Sequence, residues 1–272
     1  MCATCGCSDP DGVRLVEVSH EHSHDHSQNH EHPHDDEHPH DHPHGPEHPP
    51  VGRTHTLTLE QRVLASNDQL AATNRKWLAA RGVRAINLMS SPGAGKTTLL
   101  VRTIRDLGDR LPICVIEGDQ ETTFDAERIA EAGVRVLQVN TGSGCHLDAS
   151  MVTDALRALD PSGLVLIENV GNLVCPALFD LGESGRVVVM SVTEGADKPL
   201  KYPHIFRTAD LVLLNKIDLL PYVDFDRDRF RRDLALLNPT VQVLPVSATA
   251  GTGLAAWYDW LHGSGRPPAG RR

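Results

Sequence analysis

The chain has 272 residues and a formal net charge of −10 at pH 7. That length holds one large domain or two small ones, and no apolar run approaches the roughly 20 residues that a membrane span needs. Residues 1–50 contain eleven acids and one base, Arg14, so of the totals of 36 and 26 the rest of the chain keeps 25 of each and is neutral; with no basic face, nucleic acid is excluded as the expected partner.

Residues 1–50 are expected to form a disordered metal-binding tail. It begins with Cys2, Cys5 and Cys7, three thiols within six residues that can converge on one soft or borderline cation. Twelve of the sixteen histidines lie between His20 and His48, in a run broken by prolines and too poor in apolar residues to bury a core. Neutral imidazoles suit Zn²⁺, Ni²⁺ and Cu²⁺, and the interspersed carboxylates lower the charge cost of a bound cation, so the run reads as a reservoir of many weak sites. The N-terminus has no basic segment followed by an apolar core. The six cysteines are therefore read as metal or redox groups in a reducing cytoplasm.

Residues 51–272 are expected to be one α/β unit. A helical pattern starts at Thr58, where Leu59, Val63, Leu70, Trp77 and Leu78 recur near a 3.6 period, as in an amphipathic helix laid on a core. The apolar run 85–89 then reads as a strand, 99–104 reads as a helix, and Ser90-Ser-Pro-Gly-Ala-Gly-Lys-Thr-Thr98 lies between them. Strand, glycine loop, helix is the context of a phosphate-binding loop. Gly93 and Gly95 allow the tight turn, so that the N–H groups of Gly93, Ala94, Gly95 and Thr98 face phosphate oxygens at a helix N-terminus. Lys96 is expected to reach the β/γ-phosphates and Thr97 to ligate Mg²⁺. Ser90 stands where the G-x-x-x-x-G-K-[ST] pattern has glycine, which requires that the turn begin with an ordinary φ.

Four further strands carry candidate groups at their carboxyl ends, where open α/β sheets bind ligands. The strand from Ile113 to Ile116 runs into Glu117-Gly-Asp-Gln120; Asp119, with Asp125 beyond it, is expected at Mg²⁺ or the attacking water, while Cys114 is read as a small core residue. A strand over 133–139 leads to Cys145 and His146. The strand 164–167 ends in Glu168, with Gly171 three residues on and Cys175 after that, an arrangement that puts a carboxylate near Mg²⁺ and a glycine N–H near the γ-phosphate. Cys145, His146 and Cys175 supply two sulfur donors and one nitrogen, one short of a tetrahedron; a symmetric partner subunit would complete the set. Finally 210–215 ends in Asn215-Lys-Ile-Asp218, the N-K-x-D guanine reader. Asp218 accepts from the two guanine hydrogens that adenine lacks, Lys216 lies along the base and Asn215 fixes the loop. Ser247 and Ala248, after a strand at 241–246, match the loop that supports guanine O6.

With these residues in hand, the chain resembles the HypB family of GTPases, which help to insert nickel into [NiFe]-hydrogenase and in some organisms support urease. The resemblance rests on the N-terminal C-x-x-C-G-C, the histidine run, S-S-P-G-A-G-K-T-T, T-G-S-G-C-H-L-D-A, I-E-N-V-G-N-L-V-C-P, S-V-T-E-G-A-D-K-P-L-K-Y-P, L-L-N-K-I-D-L-L-P and V-S-A-T, and covers essentially the whole length. It implies a doubly wound, mostly parallel α/β sheet of the SIMIBI class of P-loop NTPases and a homodimer formed on GTP binding. It also implies tight nickel binding at Cys2, Cys5 and Cys7, and zinc or nickel at Cys145, His146 and Cys175. The implied partners are the companion chaperone HypA, a His-rich prolyl isomerase in some species, and the [NiFe]-hydrogenase large subunit precursor. GTP, GDP, Mg²⁺, Ni²⁺ and Zn²⁺ are the expected ligands, with Lys96, Thr97, Asp119 and Glu168 the candidate catalytic groups. Two other readings stay open: nickel storage that needs no GTP hydrolysis, and a small-molecule kinase, against which the guanine reader argues.

Overall fold

The computed structural model describes residues 14–18 and 53–263. The cysteine cluster at 2–7 and the histidine run at 20–48 lie outside them. In chain order the elements are β1 (Arg14–Val18), α1 (Arg53–Ala80), β2 (Arg84–Met89), α2 (Lys96–Leu107), β3 (Ile113–Asp119), α3 (Phe124–Ala130), β4 (Arg135–Asn140), α4 (Ala149–Leu159), β5 (Leu164–Glu168), β6 (Gly185–Ser191), α5 (Lys198–Lys201), α6 (Pro203–Arg207), β7 (Leu211–Asn215), α7 (Arg227–Leu237), β8 (Gln242–Pro245) and α8 (Leu254–Leu261). The strands form one sheet in the order β1-β4-β3-β5-β2-β6-β7-β8. Every pair is parallel except β1 with β4.

Burial on both faces explains the near-continuous apolar strands. Alternate residues of β2 face opposite sides of the sheet and join three apolar clusters. Ile86 and Leu88 pack with Leu99 and Ile104 of α2, Ile129 of α3 and Trp257 of α8. Ala85, one residue over, joins Leu78 of α1 with Val152 and Leu156 of α4, and Met89 joins Phe206 of α6 with Phe230 of α7. Helices thus cover both faces, as expected for a doubly wound sheet. From β2 the chain winds to β3 and β4 on one side, returns through β5, and continues to β6, β7 and β8 on the other. The direction reverses around β2, which places a crevice at the carboxyl ends of β2, β3 and β5.

Two expectations are corrected. Arg14–Val18, inside the segment read as a disordered tail, is a strand paired antiparallel with β4, Leu15 opposite Val139 and Glu17 opposite Leu137. Helix α1 begins at Arg53, five residues before Thr58, and only the C-terminal part of the apolar stripe meets the core: Trp77 and Leu78 pack there, but Val63 is 50% and Leu70 38% exposed, while Asn67, Ala71 and Asn74 are buried. The reason is what α1 packs against. Its neighbours are the first turn of α4 and the 180–182 turn, both of which present backbone groups that need partners. Asn67 Nδ2 donates to Asp180 O at 2.8 Å and its Oδ1 accepts from Ala149 N at 2.8 Å. Asn74 Nδ2 donates to Ala149 O at 2.9 Å and Leu181 O at 3.1 Å, and its Oδ1 accepts from Thr153 Oγ1 at 2.7 Å. Gly182 is obligatory here: φ is +87°, and a Cβ would stand 2.5 Å from Ala71 O.

Arg75 Nη2 also donates to both oxygens of Asp180 at 2.7 Å. Burial pushes the Asp180 pKa up, but the Gly182 N–H and the Arg75 guanidinium outweigh it and hold the carboxyl down to about 2. The folded value lies below the unfolded one, so this contribution is complete above about pH 4 and is lost as pH falls from there toward 2. Asp180→Asn is therefore expected to lower Tm at pH 7 and to shrink the wild-type advantage between pH 4 and pH 2, as read by thermal melts. Asn74→Ala, which takes the Asn74 donor from the buried Leu181 carbonyl, is expected to cost roughly 1–3 kcal/mol in urea unfolding; a loss under about 0.5 kcal/mol, the range of ordinary surface substitutions, would show that α1 is not clamped there.

Candidate functional site

The loop between β2 and α2 is shaped by two left-handed glycines, Gly93 at φ +75° and Gly95 at φ +95°. Ser90 is not among the non-glycine residues with positive φ, which explains why serine fits that position. It has a further use: Lys96 Nζ donates to Ser90 Oγ at 2.8 Å. The loop opens on a cavity of about 490 Å³ whose lining includes Gly93, Ala94, Gly95, Lys96, Thr97 and Thr98. Glu117, Asp119, Asp125, Glu168, Gly171 and Lys216 also face it. The loop after β5 packs directly on the glycine loop, since a Cβ at Gly171 would stand 3.2 Å from the Pro92 ring.

The floor of this cavity is acidic. Thr97 Oγ1 donates to Glu168 Oε1 at 2.8 Å. Glu117 is paired in register with Glu168 across β3 and β5, and both carboxyls are buried. One oxygen of each, Glu117 Oε2 and Glu168 Oε2, has no hydrogen-bond partner. Burial, with the nearby Glu168, raises the Glu117 pKa to about 9; burial likewise raises that of Glu168 to about 7, against the pull of Lys96. A hydroxyl and two carboxyls with orphaned oxygens beside a phosphate loop are an oxygen donor set that fits Mg²⁺, which takes few protein ligands and keeps waters.

Glu117 is the group that sequence reasoning passed over in favour of Asp119. Asp119 is otherwise engaged: its Oδ2 accepts from Thr122 N at 2.9 Å and Thr122 Oγ1 at 2.6 Å, hydrogen bonds that hold its carboxyl below the usual range despite burial. The signal available was strand alternation, because residues 113, 115 and 117 share the β3 face that meets α2.

Asn215 joins three of the predicted segments. Its Nδ2 donates to Ala94 O at 2.9 Å and its Oδ1 accepts from Ala248 N at 3.2 Å. Lys216, in a left-handed conformation at φ 61°, donates to Gly93 O at 2.7 Å. Ser247 is buried and its Oγ accepts from Ala250 N at 3.0 Å, shaping the loop that carries Ala248. Asp218 follows on an exposed 3₁₀ turn and does not line the phosphate cavity.

Beside the cavity lies a cluster of candidate metal ligands. Ligand atoms of Cys145, His146 and Cys175 all lie within 4.8 Å of one another, with Cys145 Sγ 2.8 Å from Cys175 Sγ. His146 stacks on Phe179 at 3.9 Å between ring centroids, and burial lowers its pKa, so the imidazole stays in the neutral, ligating form. Two thiols and an imidazole are the donor chemistry that zinc and nickel accept. Cys114 stands apart in the core, its thiol pushed up to about 11 by burial and so kept unreactive. Two tethers connect cluster and cavity. Asn169, which lines the cavity next to Glu168, accepts from Leu147 N at 3.2 Å through its Oδ1. Asp119 O accepts from Thr141 N at 2.8 Å, and Gln120 Nε2 donates to Gly144 O at 3.3 Å.

Residues 84–245 match the family model described as CobW/HypB/UreG, nucleotide-binding domain. The hydrogenase maturation factor HypB of Rhizobium leguminosarum bv. viciae is 56% identical over 207 residues, 75% of this chain and 69% of that protein. HypB of Escherichia coli K12 is 54% identical over 207 residues, 75% of this chain and 71% of that one. Among solved structures, HypB from Archaeoglobus fulgidus superposes with a TM-score of 0.70 at 42% identity, covering 74% of this chain and 98% of that one. HypB from Helicobacter pylori in complex with nickel also gives 0.70, at 38% identity, covering 73% and 94%. The glycine loop, the N-K-x-D segment and the neighbouring Cys145–His146–Cys175 cluster thus belong to a member of the CobW/HypB/UreG nucleotide-binding family, within its HypB hydrogenase maturation factors.

Proposed function

We propose that the chain is a cytoplasmic, GTP-hydrolysing metallochaperone that binds nickel and delivers it to the [NiFe]-hydrogenase large subunit precursor, with the histidine run as a nickel store. The observation that carries this reading is the pair of tethers between the phosphate cavity and the Cys145–His146–Cys175 cluster, of which the Asn169 bond to Leu147 N is the shorter path. An element that senses the γ-phosphate can then bias the geometry of the metal ligands, which is the physical content of coupling between two sites.

In this reading Lys96 exchanges Ser90 for phosphate oxygens and, with the N-terminus of α2, offsets the charge that develops on the β/γ-phosphates. Thr97, Glu168 and Glu117 hold Mg²⁺, which when bound neutralises phosphate charge. The specificity group is Asp218, which accepts from guanine while Asn215 and Lys216 hold its loop to the glycine loop. Asp119 and Asp125 keep the 119–125 segment at the cavity mouth. The three-donor metal cluster takes its fourth ligand from a second copy of the chain, assembled in the GTP state, or from the companion HypA-type chaperone that receives the ion. The cysteines at 2, 5 and 7 form a separate, tighter nickel site.

Two outcomes are expected. Glu117→Gln removes a buried carboxyl that ionises at a cost. In chelator-treated protein without nucleotide it is expected to raise Tm by a few degrees at pH 8 and by less at pH 5, since the penalty grows as pH rises from the ordinary carboxyl pKa toward about 9. The same variant should lose at least tenfold in Mg²⁺-dependent GTP hydrolysis. Equal melting at both pH values would remove the buried-carboxyl argument. For coupling, the measurement is Ni²⁺ affinity in a chain with Cys2, Cys5 and Cys7 changed to serine and residues 20–48 deleted, which leaves β1 in place. Affinity is expected to differ at least threefold between GDP and a non-hydrolysable GTP analogue, and the difference to vanish in Asn169→Ala; equal affinities in the parent would sink nucleotide control of the cluster.

A further inference from the structure

The segment between β5 and β6 carries Cys175 at the start of a 3₁₀ turn, Cys175–Ala177, and bends back at the 180–182 turn. Between those two points stands Phe179, half-buried, with its ring on that of His146, 3.9 Å between centroids and 28° between planes. His146 comes from the loop after β4, so the stack joins the two loops that bring the sulfur and nitrogen donors together. The Nδ1 of the imidazole lies 3.7 Å from Cys145 Sγ. A metal-binding imidazole is ordinarily oriented by an acceptor on its second nitrogen, a carboxylate, a carbonyl or a water. Among the described residues no carboxylate or carbonyl does this for His146, and the face of Phe179 is what bounds the rotation of the ring.

Phe179 is itself anchored. Arg186, near the start of β6, pairs through Nε with Glu183 Oε1 at 2.5 Å, and its Nη1 and Nη2 donate to Ala177 O and Phe179 O, each at 3.4 Å. Glu183 Oε2 accepts from Leu181 N at 2.7 Å. The next residue, Asp180, is the carboxylate that Arg75 of α1 holds. The side chains of Arg186 and Glu183 are 7% and 0% exposed. An ion pair at that depth adds little net stability over apolar residues of the same size, because both charges lose their water. Its effect here is on geometry, since it fixes the backbone on either side of Phe179.

We propose that Phe179, seated by Arg186, is a positioning residue of the metal cluster, holding the His146 imidazole where its nitrogen joins the two thiolates on one cation. The inference rests on the reading of Cys145, His146 and Cys175 as metal ligands and extends it to the residue that makes the nitrogen available. A ring already held in place loses little freedom when the ion arrives, so the set favours a divalent cation that takes one nitrogen beside two sulfurs. With the ring released, the cluster is a two-thiolate site with a wandering third donor.

The test is Co²⁺ titration, read by absorption, of the full-length chain with Cys2, Cys5 and Cys7 changed to serine. Co²⁺ takes nitrogen and sulfur donors as zinc does; its thiolate charge-transfer band reports Cys145 and Cys175, since Cys114 is buried in the core, and its ligand-field bands report the donor set. The histidine run competes equally in every variant, so the ratios of affinity hold. Phe179→Ala is expected to bind Co²⁺, and the Zn²⁺ that displaces it, about tenfold more weakly. Its thiolate band should persist while its ligand-field bands move toward those of His146→Ala. Phe179→Tyr, which keeps the ring face, should restore the affinity; Phe179→Leu, which keeps only apolar bulk, should not. Adding Phe179→Ala to His146→Ala should change affinity by less than about twofold, because the residue acts through the imidazole. Unchanged affinity and bands in Phe179→Ala overturn the proposal. So does a comparable further loss in the double variant, or restoration by Phe179→Leu, either of which marks packing alone. Loss of the thiolate band in both Phe179→Ala and Phe179→Leu, with a lowered Tm, overturns it in the same way. Absence of that band before any change at Phe179 removes the reading of the cluster as a metal site, and this inference with it.

Discussion

Two carboxyls and one ammonium share the floor of the phosphate cavity, and much of the molecule follows from keeping them together. The parallel pairing of β3 with β5 sets Glu117 opposite Glu168, and α2 brings Thr97 and Lys96 over them. Lys96 is directed to Ser90, so it answers the carboxyls only across space. Ionising both carboxyls in a low-dielectric site is costly on its own and becomes favourable when a divalent cation and phosphate arrive together. Ligand binding and local stability are therefore one quantity at this site, by ordinary mass action. The apolar sheet on either side supplies the rigidity that makes such an arrangement tolerable.

Asn215 does for the loops what the sheet does for the strands. By donating to Ala94 O and accepting from Ala248 N, one buried amide fixes the glycine loop, the guanine-reading turn and the loop after β8 against each other. Its loss would free three segments at once, because each of its bonds is buried and has no water to replace it. On the other side of the cavity Asn169 plays a matching part, its Nδ2 donating to Asn87 Oδ1 deeper in the sheet. The nucleotide and metal regions are thus joined by amide side chains at strand ends, and less by hydrophobic contact.

Most of the fold was legible in the sequence because it is written in two signals that local physics reads well. Buried parallel strands leave apolar runs such as 164–167, and glycine with lysine after such a run marks the phosphate loop. What escaped were the features decided by distant partners. The buried face of α1 includes two asparagines, chosen by the backbone of α4 and of the 180–182 turn far along the chain, and a periodicity search for apolar residues finds Trp77 and Leu78 but passes over Asn67 and Asn74. Glu117 was masked by its neighbour Asp119, since only strand register shows which of two nearby carboxylates faces Glu168. The strand Arg14–Val18 was hidden by its surroundings, a short apolar alternation set in a segment whose composition otherwise signals no core.

The pairing of β1 with β4 changes the topology of the histidine-rich segment. Residues 19–52 connect Val18 of β1 with Arg53 of α1, so the histidine-rich segment is tethered to described elements at both of its ends. A closed loop of that length cannot carry any of its imidazoles more than about 60 Å from its anchor points, at the chain's maximal extension per residue. On the proposed function, metal given up by these histidines would be released near the body of the protein, at the effective concentrations that tethering produces. The short lead from Cys7 to Arg14 limits the reach of the cysteine cluster more tightly still, to about 25 Å from the sheet edge. Both sets of candidate ligands are tied to the same domain through five residues of edge strand.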